Sequence, residues 1–189
     1  MEITPSVVYQ QTADQQRILV TGTERSRVIS LIISILNSFG HKYNFYSDGQ
    51  SVTKTEAPIA IINSSISSQS TDYRHHVLLL TSYAEEELNE ITKLVNATPK
   101  SGMIIYPEDD QKLKTIIGKE RADVQLLPYK ILGHEIKDGR TFIINRTNDK
   151  FSIQLNGKQE LLALAAAKEV VRKIGISSAQ FYKAAAGLQ

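Results

Sequence analysis

A chain of 189 residues with 22 Lys and Arg against 20 Asp and Glu carries a formal charge of +2, too little by itself to imply nucleic acid or an anionic membrane. Its composition, 41% hydrophobic and 22% charged, is that of a globular domain with a sizeable core and not of a disordered chain. With no cysteine, a disulfide framework, a thiolate nucleophile and a Cys-ligated zinc site are excluded.

Met1 to Gln16 is polar and weakly patterned, and reads as an N-terminal arm or as a lead-in strand around Ser6 to Tyr9. It offers no basic head followed by an apolar stretch of signal-peptide length, and nothing in the chain approaches the roughly 18 continuous apolar residues of a membrane span. The expectation is a cytoplasmic protein without membrane or nucleic-acid partners. Ile18, Leu19 and Val20 predict a short buried strand, and Gly22 a turn. From Arg25, the apolar positions Val28, Leu31, Ile32, Ile35, Leu36 and Phe39 recur at spacings of three and four, one buried helix face that Gly40 stops. Tyr43 to Tyr46 then reads as a second strand closing a βαβ unit.

The unalternating runs at Pro58 to Ile62 and Val77 to Thr81 predict strands covered on both faces of a parallel sheet, separated by a serine-rich surface loop from Asn63 to Thr71. Ala84 to Asn96 predicts a helix with an acidic first turn, Gly102 to Pro107 a strand, and Asp109 or Asp110 the cap of a short helix through Ile117. After Arg121, Val124 to Leu127, Thr141 to Asn145 and Phe151 to Leu155 read as strands, with Asp138-Gly139 as a hairpin signal. Gln159 to Ile174 is an amphipathic helix that Gly175 ends, and Ser177 caps a final helix. The predicted fold class is α/β: a mostly parallel, P-loop-like sheet flanked by helices, with a small antiparallel patch near the C-terminal third. Residues 1–16 lead in and residues 17–189 form a single domain.

Strand, glycine turn and helix is the order in which backbone N–H groups and a helix dipole converge on a phosphate. A working loop also needs a second glycine, a lysine for the β- and γ-phosphates and a hydroxyl for magnesium. Gly22 and Thr23 are in place, but those three positions carry Arg25, Ser26 and Arg27. The candidate site is therefore a vestigial phosphate loop of Gly22, Thr23, Arg25, Ser26 and Arg27. Two readings stay open: the arginines grip an anion through their guanidinium forks, or both are solvated first-turn residues.

Three segments in order carry a family resemblance: Val20-Thr-Gly-Thr with the helix ending in Phe39-Gly-His-Lys; Gly102-Met-Ile-Ile-Tyr-Pro-Glu-Asp-Asp-Gln-Lys-Leu-Lys; and Phe151-Ser-Ile-Gln-Leu-Asn-Gly running into Leu161-Leu-Ala-Leu-Ala-Ala-Ala. Together they resemble the central, ATP-binding domain of the Mur ligases, in particular the group that loads alanine onto UDP-N-acetylmuramate or recycles muropeptide. The resemblance spans Arg17 to Leu188. It implies an ATP-dependent carboxylate–amine ligase of peptidoglycan synthesis, in which magnesium and a lysine neutralise the transferring phosphoryl group.

The departures oppose that activity. Ser26 and Arg27 stand where the family has its lysine and the following hydroxyl residue. Asn63-Ser-Ser-Ile-Ser offers no carboxylate where the acidic magnesium-binding segment belongs. Ser82-Tyr-Ala-Glu-Glu-Glu replaces an Asn followed by Asp-His, and Gln159-Glu160 replaces a His-Asn pair. The family's substrate-binding N-terminal domain and its C-terminal domain are not represented. No catalytic residue and no metal ligand is assigned. His75-His76 cannot chelate one ion because adjacent strand residues point to opposite faces, and reads as a solvent-contacting strand entry. Glu85-Glu-Glu and Glu108-Asp-Asp read as helix caps.

The sequence-based expectation is thus a catalytically inactive, stand-alone Mur-ligase-like central domain. It would bind at most ATP or a phosphate-like anion at the vestigial loop. Alternatively it would bind a protein partner, or a second copy of itself, through surfaces that the flanking domains cover in true ligases. The competing reading is an active ATP-dependent UDP-N-acetylmuramate–alanine ligase, or a subunit of one.

Overall fold

The computed structural model describes residues 3–48, 50–53, 55–118 and 121–188. Seven strands, β1 (Gln16–Thr21), β2 (Asn44–Ser47), β3 (Gln50–Thr53), β4 (Ile59–Asn63), β5 (Val77–Leu80), β6 (Met103–Pro107) and β7 (Gln125–Tyr129), form one sheet in the order β3-β2-β4-β1-β5-β6-β7. Six of them run parallel, and β3 folds back antiparallel on β2 at one edge. The helices are α1 (Pro5–Gln11), α2 (Arg25–Ser38), α3 (Leu88–Ala97), α4 (Gln111–Ile117), α5 (Lys158–Lys173) and α6 (Ser178–Ala185).

The apolar strand runs divide between two cores by the two-residue period of the strand. Ile18, Val20, Ile59, Ile61, Val77 and Leu79 face α2, α5 and α6, while Leu19, Ala60, Ile62, Leu78 and Leu80 face α1, α3 and α4. Continuous hydrophobicity in these strands is therefore two alternating patterns superposed, as a sheet covered on both sides requires. Burying α2 explains its period: Val28, Leu31, Ile32, Ile35 and Leu36 are all at most 2% exposed. Gly40 adopts φ +64° and lets His41 N–H return to the Leu36 carbonyl (3.1 Å), which ends the helix as its sequence indicates.

A second sheet, β8 (His134–Lys137), β9 (Arg140–Ile144) and β10 (Lys150–Ile153), is antiparallel in the order β10-β9-β8. Asp138-Gly139 forms its tight turn between Lys137 and Arg140. Ile143 and Ile153 bury in the same core as α5 and α6, and Phe151 stacks on Tyr182 at 5.2 Å. The expected α/β class, with a parallel sheet and a separate antiparallel patch, is what forms.

Four local expectations are corrected. The lead-in stretch around Ser6 to Tyr9 is helix and not strand: Thr4 Oγ1 accepts the Val7 N–H (3.4 Å), Pro5 occupies the first turn, and Val8 is fully buried. Met1 and Glu2 of that stretch, and Gln189, lie outside the described residues. The strand after Arg121 is not part of the antiparallel patch; as β7 it extends the parallel sheet, and Pro128 is tolerated because this is an edge. The serine-rich loop after β4 is not wholly a surface loop, since Asn63, Ser64 and Ser70 are buried and Tyr73 O–H donates to Ser64 Oγ (3.3 Å).

The fourth concerns the histidine pair. The two rings do face apart, but His75 is fully buried and not in contact with solvent. Thr98 Oγ1 donates to the Leu94 carbonyl (3.2 Å), so it accepts from His75 Nε2 (2.9 Å), and His75 Nδ1 has no partner. Protonation would place a charged N–H in that unpartnered position. Burial first, then the charges of His76 and Arg17, push the imidazole down to about 4 from its ordinary 6.5. Because the folded protein holds this group below its unfolded value, its stabilising contribution is complete above about pH 6.5. It is lost as pH falls toward 4, by an amount on the order of 3 kcal/mol. In urea titrations between pH 7 and pH 4.5, His75→Gln is expected to flatten part of the decline seen in the parent chain. Parallel profiles for the two proteins would contradict this assignment.

Candidate functional site

The chain leaves β1 toward β2 on one side of the sheet, and leaves β5 toward β6 and β7 on the other. The carboxyl ends of β1 and β5 therefore flank the topological switch point, where open α/β sheets receive ligands. Gly22 sits there with φ +103°. The structure places Gly22 and Thr23 in the turn between β1 and α2, and Arg25, Ser26 and Arg27 in the first turn of α2.

This turn closes on the protein itself. Thr23 N–H donates to the Ser82 carbonyl at 2.6 Å, Thr23 Oγ1 donates to the same oxygen at 3.1 Å, and Glu24 N–H donates to Thr81 Oγ1 at 3.2 Å. Thr81 in turn reaches back to Thr21: its N–H and its hydroxyl both donate to the Thr21 carbonyl (3.0 Å each). A Cβ on Gly22 would overlap Thr81 Oγ1 and the Ser82 carbonyl oxygen. The space over the glycine is filled by the end of β5, and the amides of Thr23 and Glu24 already have acceptors.

The two arginines are likewise engaged. Arg25 Nη1 donates to the Gly22 carbonyl (3.1 Å), and its Nη2 lies 3.8 Å from Asp48 Oδ2, in the turn after β2. Its buried Nε has no partner. Arg27 Nε donates to Glu160 Oε2 at 2.7 Å, joining the first turns of α2 and α5. Glu160 thus stands beside Arg27 and cancels its charge, and the two arginines do not converge on a common point. Ser26 is exposed, and its carbonyl accepts the Ser30 hydroxyl (3.0 Å).

At the end of β4, Asn63 Nδ2 donates to Ser47 Oγ (3.0 Å) while Asn63 Oδ1 is buried and unpartnered, and Thr21 O–H donates to the Ser64 carbonyl (2.7 Å). Among the described residues, no three His, Asp or Glu side chains converge as a metal ion would require. Beyond β5 lies a crevice of about 690 Å³ lined by Ser82, Tyr83, Glu85, Asp109, Asp110 and Lys112, among others. Tyr83 O–H donates to Asp110 Oδ1 (3.2 Å), and burial, followed by that hydrogen bond, pushes the phenol up to about 12. Lys112 is paired with Glu85 (2.5 Å), so the crevice is acidic and unsuited to a polyphosphate.

The magnesium-ATP implied by the sequence resemblance does not fit these residues. Ser26 stands where a lysine would be needed, β4 ends in Asn63 with the neighbouring Asp48 carboxylate turned toward Arg25, and the amides of Thr23 and Glu24 are turned onto the end of β5. Sequence reasoning located the turn but missed Thr81 and Ser82, which close it. Their hydroxyls are ordinary in composition, and their role arises only from pairing β5 beside β1.

No protein-family model and no curated protein matches this sequence. Solved structures do match. The chain superposes on UDP-N-acetylmuramate:L-alanyl-gamma-D-glutamyl-meso-diaminopimelate ligase from Neisseria meningitides with a TM-score of 0.73 at 14% identity, covering 98% of this chain and 70% of that one. A murein peptide ligase from Psychrobacter arcticus gives 0.75 at 14% identity, covering 96% of this chain and 49% of that one. Folylpolyglutamate synthetase from Lactobacillus casei gives 0.69 at 9% identity, covering 96% and 65%. The chain therefore spans between about half and 70% of the length of these proteins. Over nearly all of its own length it has the Mur-ligase-like fold that its sequence motifs indicate.

Proposed function

We propose that this chain is a Mur-ligase-like domain that acts by binding a protein partner and does not carry out ATP-driven ligation. The observation that supports the reading most is the closed turn after β1, in which Thr23 and Glu24 spend their amides on Ser82 and Thr81. Admitting a phosphate over Gly22, at the amides of Thr23 and Glu24, would require breaking these hydrogen bonds and displacing the end of β5. Ligation would further require charge neutralisation at a phosphoryl group that Ser26 and Asn63 do not supply. The active-ligase reading needs every one of these groups to come from elsewhere. A second reading, weak metal-independent anion binding, is favoured by one observation: the buried, unpartnered Nε of Arg25.

Calorimetric titration of the chain with ATP, with and without magnesium, separates these readings. No heat at millimolar nucleotide is expected. Micromolar affinity strengthened by magnesium would overturn the proposal in favour of the ligase. Weak metal-independent binding lost in Arg25→Ala would establish the anion reading.

The closed turn also makes a stability prediction. Gly22→Ala introduces both an unfavourable positive φ and an overlap with the end of β5, and is expected to destabilise by at least about 2 kcal/mol. Thr81→Val removes the acceptor of Glu24 N–H and is expected to cost about 1–2 kcal/mol. A turn held open for a ligand would instead tolerate Thr81→Val without loss in chemical denaturation.

A further inference from the structure

The edge strand β8 exposes Ile136 at 69%, by far the more exposed of the two exposed large hydrophobic side chains among the described residues. Ile136 pairs with Thr141 on β9, and so lies on the sheet face that carries the buried Thr141 and Ile143, yet none of the described residues covers it. The backbone of β8 is equally unfinished. Ile144 N–H donates to the Gly133 carbonyl (2.7 Å), which sets the alternation: Gly133, Glu135 and Lys137 turn their N–H and C=O groups to β9. The groups of His134 and Ile136 point outward along the free edge.

We infer that β8 pairs antiparallel with β8 of a second copy of this chain, joining the two three-stranded sheets across a twofold axis at Ile136. Only even-numbered residues of β8 face outward, so even-numbered residues must face even-numbered ones across the axis. A register centred on Glu135 would set Glu135 against Glu135 of the partner copy in the close, non-hydrogen-bonded position. One centred on Lys137 would do the same with two lysines. Like charges directly opposite are destabilising.

The register centred on Ile136 sets each Glu135 opposite a Lys137 and brings the two Ile136 side chains together. The segment Glu135-Ile136-Lys137 is thus self-complementary in charge, a palindrome about its central apolar residue. Within one chain Glu135 pairs with Lys150 (2.7 Å), whereas Lys137 has no carboxylate partner among the described residues. The cross-axis contact would supply one. Ile136 N–H and C=O would form a reciprocal pair of hydrogen bonds on the axis. A four-residue strand buries little area, which places the association at the weak, concentration-dependent end of the range.

Sedimentation velocity on the full chain, from about 5 to about 500 µM, reads the outcome directly. Reversible dimerisation is expected, and Ile136→Asp should abolish it. Glu135→Lys turns two attractive cross-strand pairs repulsive and should raise the dimer dissociation constant about tenfold. Adding Lys137→Glu to that variant restores the palindrome with its signs exchanged, and should bring the constant back to within about threefold. Thermal melts report whether each variant is folded. A chain that stays monomeric throughout the range overturns the inference. So does a dimer that Ile136→Asp leaves intact, or one that Glu135→Lys weakens without rescue by Lys137→Glu.

Discussion

The turn from β1 to α2 is held by the end of β5, and the rest of the candidate site follows from that contact. Ser82 takes the Thr23 amide and hydroxyl, Thr81 takes the Glu24 amide, and the Thr81 hydroxyl donates back to Thr21. The result is a small, internally satisfied network across the switch point of the sheet. The Thr81 hydroxyl bond to Thr21 is buried, and opening it would leave polar groups unpaired in a low-dielectric setting. Gly22 is required here less for a ligand's approach than for the approach of the protein's own β5.

Electrostatics repeats the same pattern. A helix N-terminus preceded by a glycine turn attracts anions, and two arginines in its first turn would strengthen that field. In this chain Asp48 approaches Arg25, and Glu160 binds Arg27. Glu160 and Arg27 form a salt bridge that ties the first turn of α5 to that of α2. The charged side chains at this edge of the sheet are thus engaged with one another.

Much of the fold was legible because it is written in local periodicity. The face from Val28 to Phe39, the apolar runs of β4 and β5, and the caps Asp110 and Ser177 each specify an element within a dozen residues. Elements with weak local signals escaped. β3 is Gln-Ser-Val-Thr and owes its existence to pairing with β2. β8 is His-Glu-Ile-Lys and owes its own to the Asp138-Gly139 turn. The N-terminal helix was signalled by Thr4-Pro5, but its polar residues masked the single buried anchor, Val8.

The site was legible only in outline. Gly22 announced a turn, but its closure depends on Thr81 and Ser82, near sixty residues away, and the pairing of Arg27 depends on Glu160, 133 residues away. The burial of His75 likewise rests on Thr98, on a different element. Such contacts leave no trace in spacing or composition.

Residue-resolved hydrogen–deuterium exchange at the Thr23 and Glu24 amides, with and without magnesium-ATP, tests the central claim most directly. A turn closed on β5 predicts slow exchange at both amides in the free protein, unchanged by nucleotide. Fast exchange at both amides that becomes slow on adding magnesium-ATP would show an open phosphate loop, and would contradict the account.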